Sequence, residues 1–465
     1  MKRLVLFPLL LTSAFAVSVS MNFSGQFRSE AAYYGKPSLG SGSNSAKSYI
    51  SGRALLDPNL VIDDHFSVKS QWSLLTSPSL TPNAVTPLGV GQGGYVFGDV
   101  KTAALVLNRA WLEWTSDFGV LRVGRMPVSW GYGLLWDAGN GMWDNWQTTF
   151  DRVEYRLHLG HVVGALAYTK PRKLSVQGSD NDQDFYTIYL QYNNPEMDFE
   201  GGILFEKQQR STGQSGDLLG TSPAGADPAT TSNPYRLPTG YASPYPLSNK
   251  TPFPLSNNVL DLYLKKSFGY FTLGGEVGWL TGTAVDYNSS GKPDDLNAFG
   301  LVLSSSFEYH KLRAFLEFLY ASGDSNVTGD HLNGFVSLHR NRSPGLILGH
   351  ELLGIYSGNT VGHGSMVVYG DSDVFSGAVY LRPGFRLDWS SSWSSGAEFI
   401  FAYKAQTGAS ESKYLGTELD LGTEYSVYKN FDLGLNFGYL LPGDGLRVPS
   451  PSGVFAVRTT AALKF

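Results

Sequence analysis

The chain is 465 residues long, lacks cysteine, and carries 35 Lys and Arg against 40 Asp and Glu, a formal net charge of −5. Only 16% of its residues are charged, while 14% are aromatic and 54 are Gly. These figures exclude a disulfide-stapled scaffold and a chain basic enough to grip nucleic acid, so no nucleic acid is expected as a partner.

Lys2 and Arg3 precede an apolar run from Leu4 to Leu11, and Ala14 and Ala16 put small residues where a signal peptidase cuts. Residues 1–16 therefore read as a signal peptide, and 17–465 as one exported domain. The run is too short to span a bilayer, and no later stretch approaches the roughly 20 consecutive apolar residues that a transmembrane helix needs. From Met21 onward, apolar and polar residues alternate in segments of about 10 to 15 residues, the length of a tilted membrane strand. Tight turns fall at Asp63-Asp64, Ser116–Gly119, Leu157–Gly160, Asn193–Met197, Ser267–Tyr270, Glu308–Lys311, Trp389–Ser392 and Tyr428–Asn430. Between them run long connections rich in Gly, Pro, Ser and Asn, among them Lys36–Ala46, Ser77–Val100, Ser129–Thr148, the low-complexity 208–257, and 323–372. Turns on one side and long loops on the other is the asymmetry of a membrane barrel, with its turns in the periplasm.

Nineteen segments have strand character, but single-chain bacterial barrels have an even number of strands. Assigning Gly345–Tyr356 to the 323–372 loop, as a re-entrant or loop-packed element, leaves eighteen, with sixteen as the alternative. The expected fold is all-β: one transmembrane antiparallel up-and-down β-barrel. Closure satisfies every ladder hydrogen bond internally, which the bilayer demands.

Alternation then assigns faces, because successive side chains on a strand point to opposite sides. A lipid-facing Arg or Lys costs roughly 2–4 kcal/mol at mid-membrane, so charged rows are expected inside. Arg109 and Glu113 oppose the apolar row Ala110, Leu112 and Trp114; Arg152, Glu154 and Arg156 oppose Val153, Tyr155 and Leu157. Arg122 and Arg125, an odd distance apart, both face the lumen only if a bulge near Gly124 shifts the phase. Three successive strands then offer five Arg against two Glu. Further along, the inward rows are Arg313 and Glu317; Arg382, Arg386 and Asp388; Glu398 and Lys404; Glu418, Asp420 and Glu424; and Arg458 with Lys464. Such rows either select ions or pair across strands and hold the barrel in shape. The Arg excess of the first wall leans towards selection. Loop tryptophans Trp130, Trp136, Trp143 and Trp146 suit sugar stacking or, more commonly, an aromatic girdle. Asp180, Asp182 and Asp184 alternate as in a calcium loop, but Phe185 and Gln191 stand where its Gly and Glu belong. No cofactor and no metal are expected.

In the last strand, Gly453–Phe465, the lipid row is Phe455, Val457 and Leu463, while Arg458 and Lys464 face water. A chain-terminal Phe on such a strand resembles the end of bacterial outer-membrane barrels, where Phe465 would be the signal read by the barrel-assembly machinery. The stretch Gly124–Gly133 (G-R-M-P-V-S-W-G-Y-G), followed by Trp136, Trp143 and Trp146, resembles the strand-to-loop segment of alginate-export-type porins. Tyr320–Asn326 (Y-A-S-G-D-S-N) and Gly438–Gly445 (G-Y-L-L-P-G-D-G) are similar to strand ends there. The resemblance implies an eighteen-stranded barrel whose Arg-lined pore passes an anionic polysaccharide. It transfers to Arg125 and, by pattern, to Arg109, Arg122 and Arg152. Met126 stands where a polar residue belongs, and the loops are longer.

The reading is an outer-membrane porin, not an enzyme, for diffusion or export of hydrophilic solutes, anionic saccharides among them, with outer-membrane lipid and lipopolysaccharide around it. The alternatives are a surface adhesin or structural barrel with a plugged lumen, and a barrel hydrolase, for which no local motif gathers Ser, His and Asp.

Overall fold

Long alternating segments without a helix-length apolar run leave a closed sheet as the way to bury every backbone group in lipid, and the chain adopts one. The computed structural model describes residues 19–35, 46–74, 85–86, 89–91, 95–96, 105–144, 146–172, 183–210, 255–283, 292–324, 330–335, 345–348, 377–407, 412–446 and 452–465. The expected signal peptide, the Asp180–Asp182 stretch and most of the 208–257 loop lie outside the described residues.

Eighteen strands form the wall. They are β1 (Ser20–Gly35), β2 (Lys47–Val61), β3 (Phe66–Ser73), β4 (Val106–Ser116), β5 (Gly119–Pro127), β6 (Thr149–Leu159), β7 (Val162–Arg172), β8 (Gln183–Asn194) and β9 (Phe199–Arg210). The other half comprises β10 (Leu255–Phe268), β11 (Phe271–Thr283), β12 (Asp295–Tyr309), β13 (Leu312–Ala321), β14 (Ala378–Asp388), β15 (Trp393–Tyr403), β16 (Tyr414–Tyr428), β17 (Phe431–Pro442) and β18 (Val454–Lys464). Each pairs antiparallel with the next, and β18 returns to β1 from Gln26↔Lys464 to Gly35↔Phe455. Phe465 extends that seam: its N–H donates to Gly25 O at 3.1 Å and its carbonyl accepts from Gly25 N–H at 2.9 Å. All eight connections from an even strand to the next odd one, β2–β3 through β16–β17, are the short turns expected. In two of them Gly160 and Gly269 hold φ of +59° and +61°, the left-handed conformation that favours glycine.

Between the turn end and a loop-end rim the outer face is apolar. Leu166, Ile188, Ile203, Leu303, Phe385, Phe399, Leu421 and Leu435 are exposed there, and Tyr270, Phe271, Tyr309, Trp389, Trp393 and Tyr428 gather at the turn end. No soluble monomer tolerates so continuous an apolar surface; a barrel in lipid with an aromatic girdle requires it. The chain is a bacterial outer-membrane protein.

Charged inward rows predict a solvated interior, and towards the loop end the structure differs. Towards the loop end, the inward side chains include Tyr34 of β1, Phe150 of β6, Phe185 of β8, Leu204 of β9, Leu280 of β11, Leu319 of β13, Tyr380 of β14, Ile400 of β15 and Leu440 of β17, all buried in one apolar cluster. Two inward-folded loop segments, 128–144 and 345–348, supply the other side of that packing. The turn end of the lumen is polar and open.

Candidate functional site

The 128–144 segment enters the barrel beyond β5 and lies against the inner faces of β6 to β11. Its apolar side chains Trp130, Leu134, Leu135 and Trp136 are buried. Trp130 meets Tyr263 edge-on at 5.0 Å and Tyr189 at 5.5 Å, and its indole N–H donates to Asp261 Oδ1 at 2.7 Å. Trp136 packs edge-on against Phe150 at 5.8 Å. Close approach needs small residues on the wall: a Cβ at Gly202 would stand 2.8 Å from the Trp130 ring. The backbone N–H groups of Tyr132 and Leu134 donate to the Glu276 carboxyl of β11. Both loop tryptophans are thus core residues of the inward segment, neither a girdle nor a sugar platform. Trp143 alone of those three is exposed, with the Arg28 guanidinium 5.6 Å above its ring.

The far end of this segment is held by arginines. Arg28 Nη1 donates to Met142 O at 2.7 Å, Arg53 Nη1 to Asp144 O, and Arg109 to Ala138 O and to Asn140 Oδ1 at 2.9 Å. Arg28 and Arg53 face each other across the β1–β2 ladder. A guanidinium with donors in a fixed fork suits several carbonyls at once. Arg28 and Arg53 were absent from the expected site, although the row Ser51, Arg53, Leu55 and Asp57 alternates with Ile50, Ala54 and Leu56 as clearly as the last strand does.

The rest of the first wall is a ladder of ion pairs. Glu113 takes Lys69 and Arg122, the latter at 3.2 Å; Glu154 takes Arg122 at 3.2 Å, Arg152 at 3.0 Å and Arg156 at 2.5 Å. Arg109, Arg122 and Arg152 do face inward, but they are only 3%, 7% and 3% exposed. The arginines expected to line a selectivity wall here hold strands and loop together, because Glu113, Glu154 and the loop carbonyls take up their donors.

Arg125 is a second correction. Pairing runs without a break from Thr149↔Pro127 to Leu157↔Gly119 and from Ala110↔Arg125 to Ser116↔Gly119, so no bulge forms near Gly124. Arg125 consequently shares the outer face with Leu121 and Val123, where it grips Asp151 through two 2.7 Å hydrogen bonds. The bulge on this wall lies in β4, where Gln71 opposes Arg109 and Trp72 opposes Leu107. It turns Asn108 inward beside Arg109, and Asn108 donates to Ser73 Oγ at 2.7 Å.

The second wall bounds an open cavity of about 940 Å³ that runs from the turn end up to Met142, Trp143, Gly345 and Leu346. Arg313, Glu317, Arg382, Arg386 and Arg458 line it, with Glu398, Asp420, Glu424 and Lys464. Its pairs are more open to solvent: Arg313 meets Glu308 at 2.6 Å and Arg386 reaches Glu424 at 3.1 Å, both pairs exposed, while Arg382 lies 3.6 Å from Glu398 and 4.0 Å from Glu317 and Arg458 lies 4.0 Å from Glu30. Ser304, Ser306, Thr423, Asn436 and Thr460 add neutral donors and acceptors. A smaller cavity of about 390 Å³ lies under Arg109 and Asn140, bounded by Lys464 and Phe465.

Glu418, placed in the same inward row, is not a solvent-lining residue. It is fully buried and accepts the backbone N–H of Ile347 and of Leu348, each at 2.7 Å, while Asp420 accepts that of Leu346 at 2.8 Å. Three successive amides thus dock on two carboxyls. Only glycine fits at 345, where a Cβ would stand 2.6 Å from the Glu418 carboxyl. This is the described part of the segment whose strand character was set aside on parity.

No protein-family model matches the chain, and no curated protein matches it in sequence. Solved structures do resemble it. A BenF-like porin from Pseudomonas fluorescens Pf-5 is 12% identical, superposes with a TM-score of 0.52, and is covered over 98% of its length by 96% of this chain. The outer membrane protein opdK from Pseudomonas aeruginosa gives 11% identity and a TM-score of 0.49, covering 96% of this chain and 99% of that one. An anion-selective porin from Comamonas acidovorans gives 12% and 0.45, covering 96% and 100%. At such identities the likeness to the BenF-like porin speaks for the fold alone.

Proposed function

We propose that the chain is an outer-membrane channel for hydrophilic solutes, with the solute path along the β12–β18 wall beneath the 345–348 segment. The cavity of about 940 Å³ with its solvent-exposed charges carries this reading. A barrel kept only for its outer surface has no need of a solvated, charged vestibule reaching two loops, whereas a solute path does. Phe465, closing the seam against Gly25, is read as the signal for the assembly machinery.

The cargo class we favour is a saccharide bearing carboxylates, as the resemblance of the Gly124–Gly133 segment to alginate-export-type porins implies. Arg382 and Arg386, inward on β14 with Gly384 between them, are the cations such a solute meets. The cavity also carries acids, so selectivity is set by position along the path more than by net charge. In planar bilayers, wild-type protein should conduct, and Arg382→Ala with Arg386→Ala should move the reversal potential towards cation preference. Absence of conductance would sink the channel reading; an unmoved reversal potential would remove these arginines from the path.

The packed apolar cluster at the loop end favours one second reading, a plugged barrel whose outer loops bind a partner. That reading requires a silent bilayer. We propose no enzymatic activity.

A further inference from the structure

Outward-facing charge on a membrane barrel calls for an explanation, and among the described strand residues the loop-end cations are confined to one arc. Arg125 of β5 opposes Asp151 of β6. Arg152 opposes Thr169, which makes Lys170 of β7 the next rung beside Asp151. Lys170 in turn reaches Asp184 of β8, Nζ to Oδ1 at 2.8 Å. Four strands therefore carry Arg125, Asp151, Lys170 and Asp184 at one height, all on the outer face near the loop end. Two residues lower, Lys207 of β9 lies between Tyr186 and Asn258 and donates to Asn258 Oδ1 at 3.0 Å. The arc holds three cations and two acids.

Just below this row the wall turns apolar. Tyr168 and Tyr186 pack at 5.5 Å, with Ile188 and Phe205 exposed beside them. The Tyr168 hydroxyl reaches up to Asp184 Oδ1 at 2.6 Å. The arc thus pairs a charged rim with an acyl-compatible face, and depth decides its position: an exposed charge costs little only near the interface.

The headgroup layer surrounds the whole barrel, so a general need for polarity at that height does not explain the confinement. On the opposite side, the corresponding outward positions carry Tyr33 of β1, Tyr403 of β15, Tyr439 of β17 and Phe455 of β18. Asp295 of β12, 3.6 Å from His331, adds an acid and no lysine or arginine. Among the described strand residues, outward cations at the loop end occur only on β5, β7 and β9. Cross-strand pairing alone does not explain Lys207 either, whose ladder neighbours are Tyr186 and Asn258.

We propose that the β5–β9 arc is a binding site for a phosphorylated glycolipid of the outer leaflet. One phosphate lies by Arg125 and Lys170 and a second by Lys207, since β5 and β9 stand about 19 Å apart; sugar hydroxyls meet Asp151 and Asp184, and acyl chains descend over Tyr168, Tyr186 and Phe205. Guanidinium and ammonium groups bind phosphate through charge-assisted hydrogen bonds. This site is separate from the lumen and does not depend on the channel reading.

The test is native mass spectrometry of the delipidated full-length protein in detergent, titrated with a bisphosphorylated acyl-diglucosamine lipid, with its dephosphorylated form, and with phosphatidylglycerol. Wild type should bind the phosphorylated glycolipid at least about tenfold more tightly than either comparison lipid. Arg125→Gln, Lys170→Gln and Lys207→Gln together should abolish that preference while conductance stays unchanged. Asp151→Asn with Asp184→Asn keeps the cations and controls for a purely strand-holding role: it should retain the preference. Equal binding of the phosphorylated and dephosphorylated forms overturns the proposal. Phosphatidylglycerol binding as tightly as the glycolipid overturns the choice of ligand, and equal loss in the acid and cation variants reduces the row to a structural one.

Discussion

Glu418→Ala should widen the channel without unfolding it. The carboxyl accepts two buried backbone N–H groups, from Ile347 and Leu348, and its loss strands both donors against an apolar wall. Each such bond contributes on the order of 1–3 kcal/mol when its partner is left unsatisfied. Together they shift docking of the 345–348 segment by about 3 kcal/mol, roughly a hundredfold in the docked-to-undocked ratio. The β15–β16 and β16–β17 ladders keep their backbone bonds, so heat-resistant migration of the folded barrel should persist. The readout is single-channel conductance, which should rise and become noisier. Glu418→Gln keeps one acceptor oxygen and should fall between the two. An unchanged conductance in the Ala variant would mean that Leu346 and its neighbours pack in place without the carboxyls.

Arg53→Ala should have the next largest effect, on the other inward segment. The guanidinium is buried, faces Arg28 across the ladder, and donates to Asp144 O. Truncation leaves Asp144 O with only the longer 3.3 Å bond from Arg28 Nη1 and opens a void the size of a long side chain, a loss of about 2–4 kcal/mol. Arg109 still holds Ala138 and Asn140, and Arg28 still holds Met142, so the segment should loosen at 142–144 rather than leave the barrel. Current noise should increase and proteolysis near 140–144 should begin in folded protein. Arg53→Lys should restore little, because an ammonium does not reproduce the planar fork. Noise and cleavage indistinguishable from wild type would refute a holding role for Arg53.

These effects rest on contacts of very different visibility in the sequence. Turns such as Gly269-Tyr270 were legible, since short Gly-bearing breaks interrupt an alternation that otherwise runs unbroken. The faces of the last strand were legible for the same reason: Arg458 and Phe455 contrast strongly. In β8 the inward row Phe185, Thr187 and Tyr189 opposes Tyr186, Ile188 and Leu190, so both faces look like lipid faces. Alternation is silent where the interior is also apolar, and the interior is apolar only because a loop far along the chain packs onto it. Docking of Trp130 on Tyr263, or of Ile347 on Glu418, depends on contacts over long sequence separations that no local pattern encodes. Arg125 failed differently. Plain alternation with Val123 puts it outside, and a place in the lumen needed a bulge that does not form.

The solute path itself is open to a direct measurement, because the chain has no cysteine. Asn436→Cys and Thr460→Cys place single thiols in the cavity beneath the 345–348 segment, and Ile188→Cys places one on the lipid face. A charged, membrane-impermeant thiol reagent added from the turn side should cut the current through the first two variants and leave the third unaffected. Current that persists after complete labelling of Asn436→Cys and Thr460→Cys would contradict a path along the β12–β18 wall.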